Sequence, residues 1–327
     1  MRVAVVIPAF KVKAHVLGVI SRIGPEVSDI YVVDDCCPEE SGKYIQDKCP
    51  DTRVKVLFNP KNQGVGGAMC TGYIAALQKG AEIIVKVDGD GQMDPGIIMR
   101  FVSPISDGMA DYTKGNRFFN LDTLWRMPWV RLLGNSGLSF INKITTGYWN
   151  IIDPTNGYTA IHCSVLSMIP LGKIDHRYFF ESDMLFRLGT VRAVVLDVPM
   201  DAFYGDEKSS LSIKKVLIEF PPKYFIRLLK RLVYQYIFRE FNIGTICFAL
   251  GLPFCFFGIV FGIHAWIEAG LVRVGATSGT VMLAALPIIL GSQLLLMAIF
   301  FDIGNYPRIP LSQLFSHIRS NKINPAE

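Results

Sequence analysis

Asp88, Asp90 and Gln92 stand at i, i+2 and i+4 in the stretch Asp88-Gly-Asp-Gly-Gln92. Three hard oxygen donors on a glycine-rich loop suit Mg2+ or Mn2+, which take carboxylates together with substrate phosphates. The same residue types also make a solvated turn, so the neighbouring elements must decide. Ile83, Ile84, Val85 and Val87 form a short β-branched run before the loop, the pattern of a buried strand. That run sets the donors just past a strand's carboxyl end, where open α/β sheets hold their ligands.

Flanking stretches repeat the arrangement. Residues 3–7 are an apolar β run stopped by Pro8, a helix follows over 12–23, and residues 30–33 form a second strand ending at Asp34-Asp35. A strand over 54–58 leads into Asn59-Pro-Lys-Asn-Gln-Gly-Val-Gly-Gly67 and a helix over 68–79. Strands alternating with helices predict an α/β fold with a mostly parallel, doubly wound sheet and ligand loops along one edge. Asp34 or Asp35 at such an edge can accept from a base N–H or a ribose hydroxyl, or else cap the next helix. Gly64-Val-Gly66-Gly67 can turn backbone N–H groups toward a diphosphate, or serve only close helix packing. It is neither a Walker A loop nor Gly-x-Gly-x-x-Gly.

The chain has 327 residues, half of them hydrophobic, and a mean hydropathy of +0.34, too apolar for an ordinary soluble enzyme. The excess is concentrated, because residues 241–267 and 274–301 contain no Asp, Glu, Lys or Arg. Each stretch exceeds the roughly 20 residues a helix needs to cross a bilayer. We expect membrane helices at 243–266 and 281–301, joined by a short loop with Glu268 and Arg273. Basic residues crowd 208–239 and recur as Arg308, Arg319 and Lys322, so the positive-inside rule places the main domain and both termini in the cytoplasm. Met1-Arg2 leading straight into a core strand predicts no signal peptide. Residues 213–241 mix Lys and Arg with apolar side chains around Pro221-Pro222, which predicts two amphipathic helices in the membrane interface or a plain linking bundle. The domains are then a main domain over 1–212, juxtamembrane helices over 213–241, a hairpin over 242–303 and a tail over 304–327.

Composition also narrows the chemistry. Seven scattered cysteines without a Cys-x-x-Cys pair read as reduced thiols, and five scattered histidines give no zinc spacing. The net charge of +5 lies mostly beside the predicted spans, which points to anionic lipid and not to nucleic acid.

Val5-Val-Ile-Pro-Ala-Phe10, Val32-Val-Asp-Asp35, Asn62-Gln-Gly-Val-Gly-Gly67 and Asp88-Gly-Asp-Gly-Gln92 occur in that order. Together they resemble the nucleotide-sugar half of an inverting, Rossmann-like GT-A glycosyltransferase of family 2. The branch most like it is the polyprenyl-phosphate glycosyltransferases, which include dolichol-phosphate mannose synthase. The resemblance implies that Pro8, Phe10 and Asp35 line the nucleoside pocket with Gly64 nearby. It makes Asp88, Asp90 and Gln92 the metal-and-diphosphate loop. Arg117 in Asp111-Tyr-Thr-Lys-Gly-Asn-Arg117 and Arg131 in Trp129-Val-Arg-Leu-Leu-Gly-Asn135 resemble the residues that hold the acceptor phosphate. Asn135 stands where the family often has Ser. An Arg fork grips phosphate bidentately, although each Arg could instead pair with a nearby Asp. Asp153-Pro-Thr-Asn-Gly157 resembles a turn that shapes the sugar pocket, and Phe180-Glu-Ser-Asp-Met184 the segment with the acid of the reaction centre. There Asp183 aligns better than Glu181. Lys208 lies in the counterpart of a mobile loop that closes on phosphate, or is a solvated loop lysine.

The reaction so implied moves a sugar from a UDP- or GDP-linked donor to polyprenyl phosphate beside the membrane lipids. The acceptor phosphate is ionised at neutral pH, so no strong base is needed. A polyprenol tail leaves lipid only at about 0.8 kcal/mol per CH₂ exposed, so the enzyme must come to the membrane. One alternative uses a hydroxyl acceptor with Asp183 as general base. Another is a non-catalytic nucleotide-binding membrane scaffold or transporter subunit, although two spans without intramembrane carboxylates make a poor transport path. A second copy of the chain is a further candidate partner, since membrane hairpins often pack together.

Overall fold

The computed structural model describes residues 1–119, 129–201 and 213–315, apart from the side chains of 130, 131 and 213–217. The chain divides into one unit of Met1–Leu228 with Pro307–Glu327, and a second of Leu229–Tyr306.

In the first unit seven strands form one sheet: β1 (Val3–Ala9), β2 (Val27–Asp34), β3 (Val54–Phe58), β4 (Ile83–Lys86), β5 (Tyr112–Asn116), β6 (Thr159–His162) and β7 (Val195–Pro199). Their order is β3-β2-β1-β4-β6-β5-β7, with β6 antiparallel to both neighbours and every other pairing parallel. Side chains alternate through the sheet. Val3, Val5 and Ile7 enter a core with α1 (Val16–Ser21) and α4 (Ile98–Ser106), while Ala4, Val6 and Ile84 face α3 (Val65–Gln78) and α7 (Phe180–Val191). With both faces covered, these strands read as unbroken apolar runs, and each buried Val or Ile contributes about 1.5–3 kcal/mol. The parallel strands bring the ends at Ala9, Asp34, Lys86 and Asn116 to one rim, as the strand–helix alternation predicts.

Two local expectations change. Pro8 does not stop β1, which runs on to Ala9. The β4 side of β1 is paired only as far as Val6, so the N–H that proline lacks has no ladder bond to make there. Nor do Pro221 and Pro222 split their segment: α8 (Ile213–Arg231) passes through both and a π-helical stretch, Leu232–Arg239, follows. Phe220 and Tyr224 are buried around Phe179, with ring centroids 5.3 and 4.9 Å from it. That packing on either side of the prolines outweighs the missing backbone bonds. It also moves the first domain boundary, since α8 belongs with the sheet as far as Leu228.

The rest of the first unit includes α2 (Ser41–Lys48), α5 (Trp129–Thr146) and α6 (Cys163–Leu166). The described residues from Pro307 to Phe315 also belong to it. Leu311 packs on the α3/α7 side of the core, and the buried Asp111 carboxylate accepts from the N–H groups of Val194, Leu311 and Ser312 at 2.8–2.9 Å.

The second unit contains α9 (Ile243–Val272) and α10 (Ser278–Gly304), both long and apolar enough to cross a membrane. Both outrun the expected spans. Glu268 lies inside α9, since nothing from Trp266 to Val272 breaks a helix, and Arg273 forms its left-handed C-cap. The helices touch through small residues: a Cβ at Gly251 would lie 3.0 Å from the Gly291 carbonyl, and one at Gly291 2.7 Å from the Cys255 nitrogen. Asp302, near the end of α10, accepts from Arg231 and from the Tyr236 hydroxyl, so this buried carboxylate is paired.

Candidate active site

At the rim beyond β4, Asp88, Asp90 and Gln92 share one half-buried loop. The Asp90 Oδ1 accepts from the Gln92 N–H at 3.0 Å, which folds the loop on itself. Asp88 Oδ1 accepts from Lys86 Nζ at 2.7 Å, and the same ammonium lies 3.4 Å from Glu181 Oε1. Lys86 has the parity of Ile84 and so points to the face covered by α3 and α7, from whose first turn Glu181 comes. Burial alone would lower the Lys86 pKa, but the Asp88 and Glu181 carboxylates outweigh it and raise the pKa. A Cβ at Gly157 would lie 2.7 Å from Asp88 Oδ2, so glycine there leaves room beside the oxygen that Lys86 does not hold. Among the described residues no three His, Cys, Asp or Glu are grouped to hold a metal. Two carboxylates and an amide on this loop nevertheless fit a hard divalent ion whose remaining ligands are phosphate oxygens.

The two aspartates after β2 have different partners. Asp34 accepts from the N–H groups of Cys37 and Gly42 at 2.7 and 2.6 Å, the second in the first turn of α2. Asp35 accepts from Asn59 Nδ2 at 2.8 Å and from the Gln63 and Gly64 N–H groups at 2.9 and 2.7 Å. It therefore holds the glycine loop at the rim. Gly64 takes φ +85°, and a Cβ on it would meet the His176 carbonyl at 2.6 Å. Gly66 and Gly67 donate to that same carbonyl at 2.8 and 3.2 Å. Close packing is thus the observed use of these glycines, and their N–H groups face protein. Pro8 is half-buried at the end of β1, and Phe10 beside it is 43% exposed.

Beyond β5, Arg117 is paired in the way set against a phosphate role. Its Nε and Nη2 donate to Asp153 Oδ2 and Oδ1 at 2.7 and 3.0 Å. Asp153 is fully buried, so it faces Arg117, Thr155 and Asn156 and not a sugar directly. Behind this pair Lys114 is fully buried and donates to the Asn156 carbonyl; burial brings its pKa down to about 8. Asp197 accepts from Asn116 Nδ2 at 3.1 Å and the Ile152 N–H at 2.9 Å, and burial raises its pKa to about 6.

The two acids of Phe180-Glu-Ser-Asp-Met184 have different partners. Asp183, with no exposed surface, accepts from the Asp175 N–H at 2.9 Å and pairs with Arg187 at 3.0 Å and Arg227 at 2.8 Å. Those partners tie α7 to α8 and to the preceding loop, and Glu181 is the residue beside Lys86 and Asp88. Residues two apart on a helix point about 200° away from each other, so one of the two acids must turn from the rim. Asn135 is half-buried on α5; the Arg131 side chain and Lys208 lie outside the described residues. Lys86 and Lys114 escaped sequence reasoning. The signal for Lys86 was a lysine closing an apolar strand, which burial obliges to find a partner; Lys114, in the polar run Tyr-Thr-Lys-Gly-Asn, gave no such signal.

Residues 4–169 match the profile of "Glycosyl transferase family 2". The chain is 29% identical over 238 residues to the UDP-N-acetylglucosamine–dolichyl-phosphate N-acetylglucosaminyltransferase of Methanococcus voltae, covering 68% of this chain and 93% of that one. It is 29% identical over 204 residues to the undecaprenyl-phosphate mannosyltransferase of Micrococcus luteus, covering 61% and 83%. The fold is shared with glucosyl-3-phosphoglycerate synthase of Mycobacterium tuberculosis, solved with Mn2+ and UDP, at a TM-score of 0.52 and 17% identity over 70% of this chain and 79% of that one. With its GT-A sheet, its acidic rim loop and a profile match over half its length, the chain belongs to glycosyl transferase family 2.

Proposed function

We propose that the protein transfers a sugar from a UDP- or GDP-linked donor to polyprenyl phosphate at the cytoplasmic membrane face, with inversion at the anomeric carbon. The observation that carries this reading is one rim holding both an acidic loop, Asp88–Asp90–Gln92 with Lys86 and Glu181 behind it, and the Arg117–Asp153 pair. The relatives that act on dolichyl and undecaprenyl phosphate support the acceptor class. Exposed Phe119, just past β5, and exposed Trp129, Leu133 and Phe140 on α5, with two apolar helices in the same chain, support a site beside lipid.

The donor's base packs against Pro8 and Phe10, while Asp35 keeps the Gly64 loop in place around it. Asp88, Asp90 and Gln92 would hold Mg2+ or Mn2+, which would supply Lewis-acid stabilisation of the leaving diphosphate. Glu181 faces the sugar, its charge balanced by Lys86. Asp153 fixes the plane of the Arg117 guanidinium, which with Arg131 and Asn135 receives the acceptor phosphate. A phosphate oxygen then attacks in line, and no side chain has to remove a proton. The hydroxyl-acceptor alternative loses its candidate base, since Asp183 is enclosed by Arg187 and Arg227.

The test is to incubate the purified full chain with polyprenyl phosphate, Mg2+ or Mn2+ and a panel of nucleotide sugars, and to identify the lipid by mass spectrometry. A glycosylated polyprenyl phosphate is expected. Glycosylation of free sugars or lipid hydroxyls alone overturns the reading.

A further inference from the structure

We propose that Lys86 is a positioning residue that keeps the acidic loop a weak divalent-ion site on its own, so that the ion is taken up together with a nucleoside diphosphate. The inference rests on Asp88, Asp90 and Gln92 being the ion's donors. Lys86 is 1% exposed at the end of the central strand β4. Its ammonium donates to Asp88 Oδ1 at 2.7 Å and to the Gly157 carbonyl at 3.2 Å, and stands 3.4 Å from Glu181 Oε1. Three acceptors match the three protons of an ammonium, and such a group is held in place.

Two consequences follow for a cation. One oxygen of Asp88 is committed to Lys86, and Oδ1 of Asp90 is committed to the Gln92 N–H. An ion on the remaining Asp88 oxygen would stand close to a fixed positive charge, a repulsion sufficient to weaken binding by about tenfold or more. The anionic oxygens of a diphosphate supply both the missing ligands and the missing negative charge. Glu181 draws on the same ammonium and so relieves part of its hold on Asp88.

The full-length protein in detergent is titrated with Mn2+ alone, and with Mn2+ plus UDP or GDP, reading free Mn2+ by electron paramagnetic resonance. The wild type is expected to bind Mn2+ at least about tenfold more tightly with one of the two nucleotides than without. Lys86→Met is expected to bind Mn2+ alone about tenfold more tightly than the wild type, shrinking the nucleotide effect, while Lys86→Arg keeps the wild-type pattern. Glu181→Gln leaves Lys86 wholly to Asp88 and is expected to weaken binding of Mn2+ alone. A merely structural lysine would not give a variant that binds the ion better. Unchanged or weaker Mn2+ binding by folded Lys86→Met overturns the proposal. Should that variant not fold, unchanged or tighter binding by Glu181→Gln overturns it, as does a wild type indifferent to nucleotide. These readouts involve no sugar transfer, so a failure of the proposed reaction would be seen separately in the lipid product.

Discussion

Asp88 and Glu181 come from distant parts of the chain and meet on one ammonium, whereas Asp183 meets two guanidinium groups. These environments predict different consequences for two neighbouring acids. Glu181→Gln is expected to lower kcat by about a hundredfold while Tm falls less than for Asp183→Ala, because Lys86 keeps Asp88 and the Gly157 carbonyl as partners. Asp183→Ala is expected to lose about 3–5 kcal/mol of stability in a denaturant or thermal melt, since it strands Arg187 and Arg227. If instead Asp183→Ala kept its Tm and lost only turnover, this assignment of roles would be wrong. Asp90→Ala is expected to abolish transfer, by at least about a hundredfold, with membrane insertion retained in a flotation assay.

At the level of elements, the start of α3 is set by contact with the loop before α7. A Cβ at Gly66 would lie 2.3 Å from the Asp175 carbonyl, so Gly66→Ala is expected to lower stability by about 1–3 kcal/mol. Strand β7 adds a pH dependence through Asp197, whose pKa rises from 3.8 to about 6 in the folded protein. Between those values the folded state holds the proton that the unfolded state has lost. Raising pH through that window therefore lowers stability, and the loss is complete above about 6. Asp197→Asn cannot titrate, so its Tm relative to the wild type is expected to rise across that interval. A constant difference from acid to neutral pH would contradict the assignment.

Over the whole molecule, the chain leaves the sheet-bearing unit after Leu228 and rejoins it at Pro307. Residue 311 packs on the core, and Asp111 takes the N–H groups of Leu311 and Ser312. Both ends of the two-helix unit are thus continuous with one domain, so the proposed membrane location implies an even number of crossings. A cysteine replacing Ala276, between α9 and α10, is expected to react with an impermeant maleimide added outside intact cells. One replacing the exposed Leu314 should react only after lysis. Labelling of both from outside would refute the orientation. Asp111→Ala is expected to speed hydrogen exchange at Leu311 and Ser312, because three N–H groups lose their acceptor.

Periodicity and composition alone determined the parallel strands β1–β4 of the sheet, the acidic loop at its rim and the two long apolar helices, because each follows from a local repeat: β-branched runs, glycine-broken carboxylates, and stretches free of charge. Partnership is not local, and the tertiary structure alone decided it. Nothing in Phe180-Glu-Ser-Asp-Met184 says which acid turns to the rim; the placement of Arg227 from α8 and Lys86 from β4 does. Nothing in the glycine loop says that its N–H groups will meet the His176 carbonyl, and Pro221-Pro222 reads as a break until Phe179 is packed against both sides of it. A buried charge or N–H must be satisfied by whatever the fold brings within about 3 Å, and only the folded chain fixes what that is.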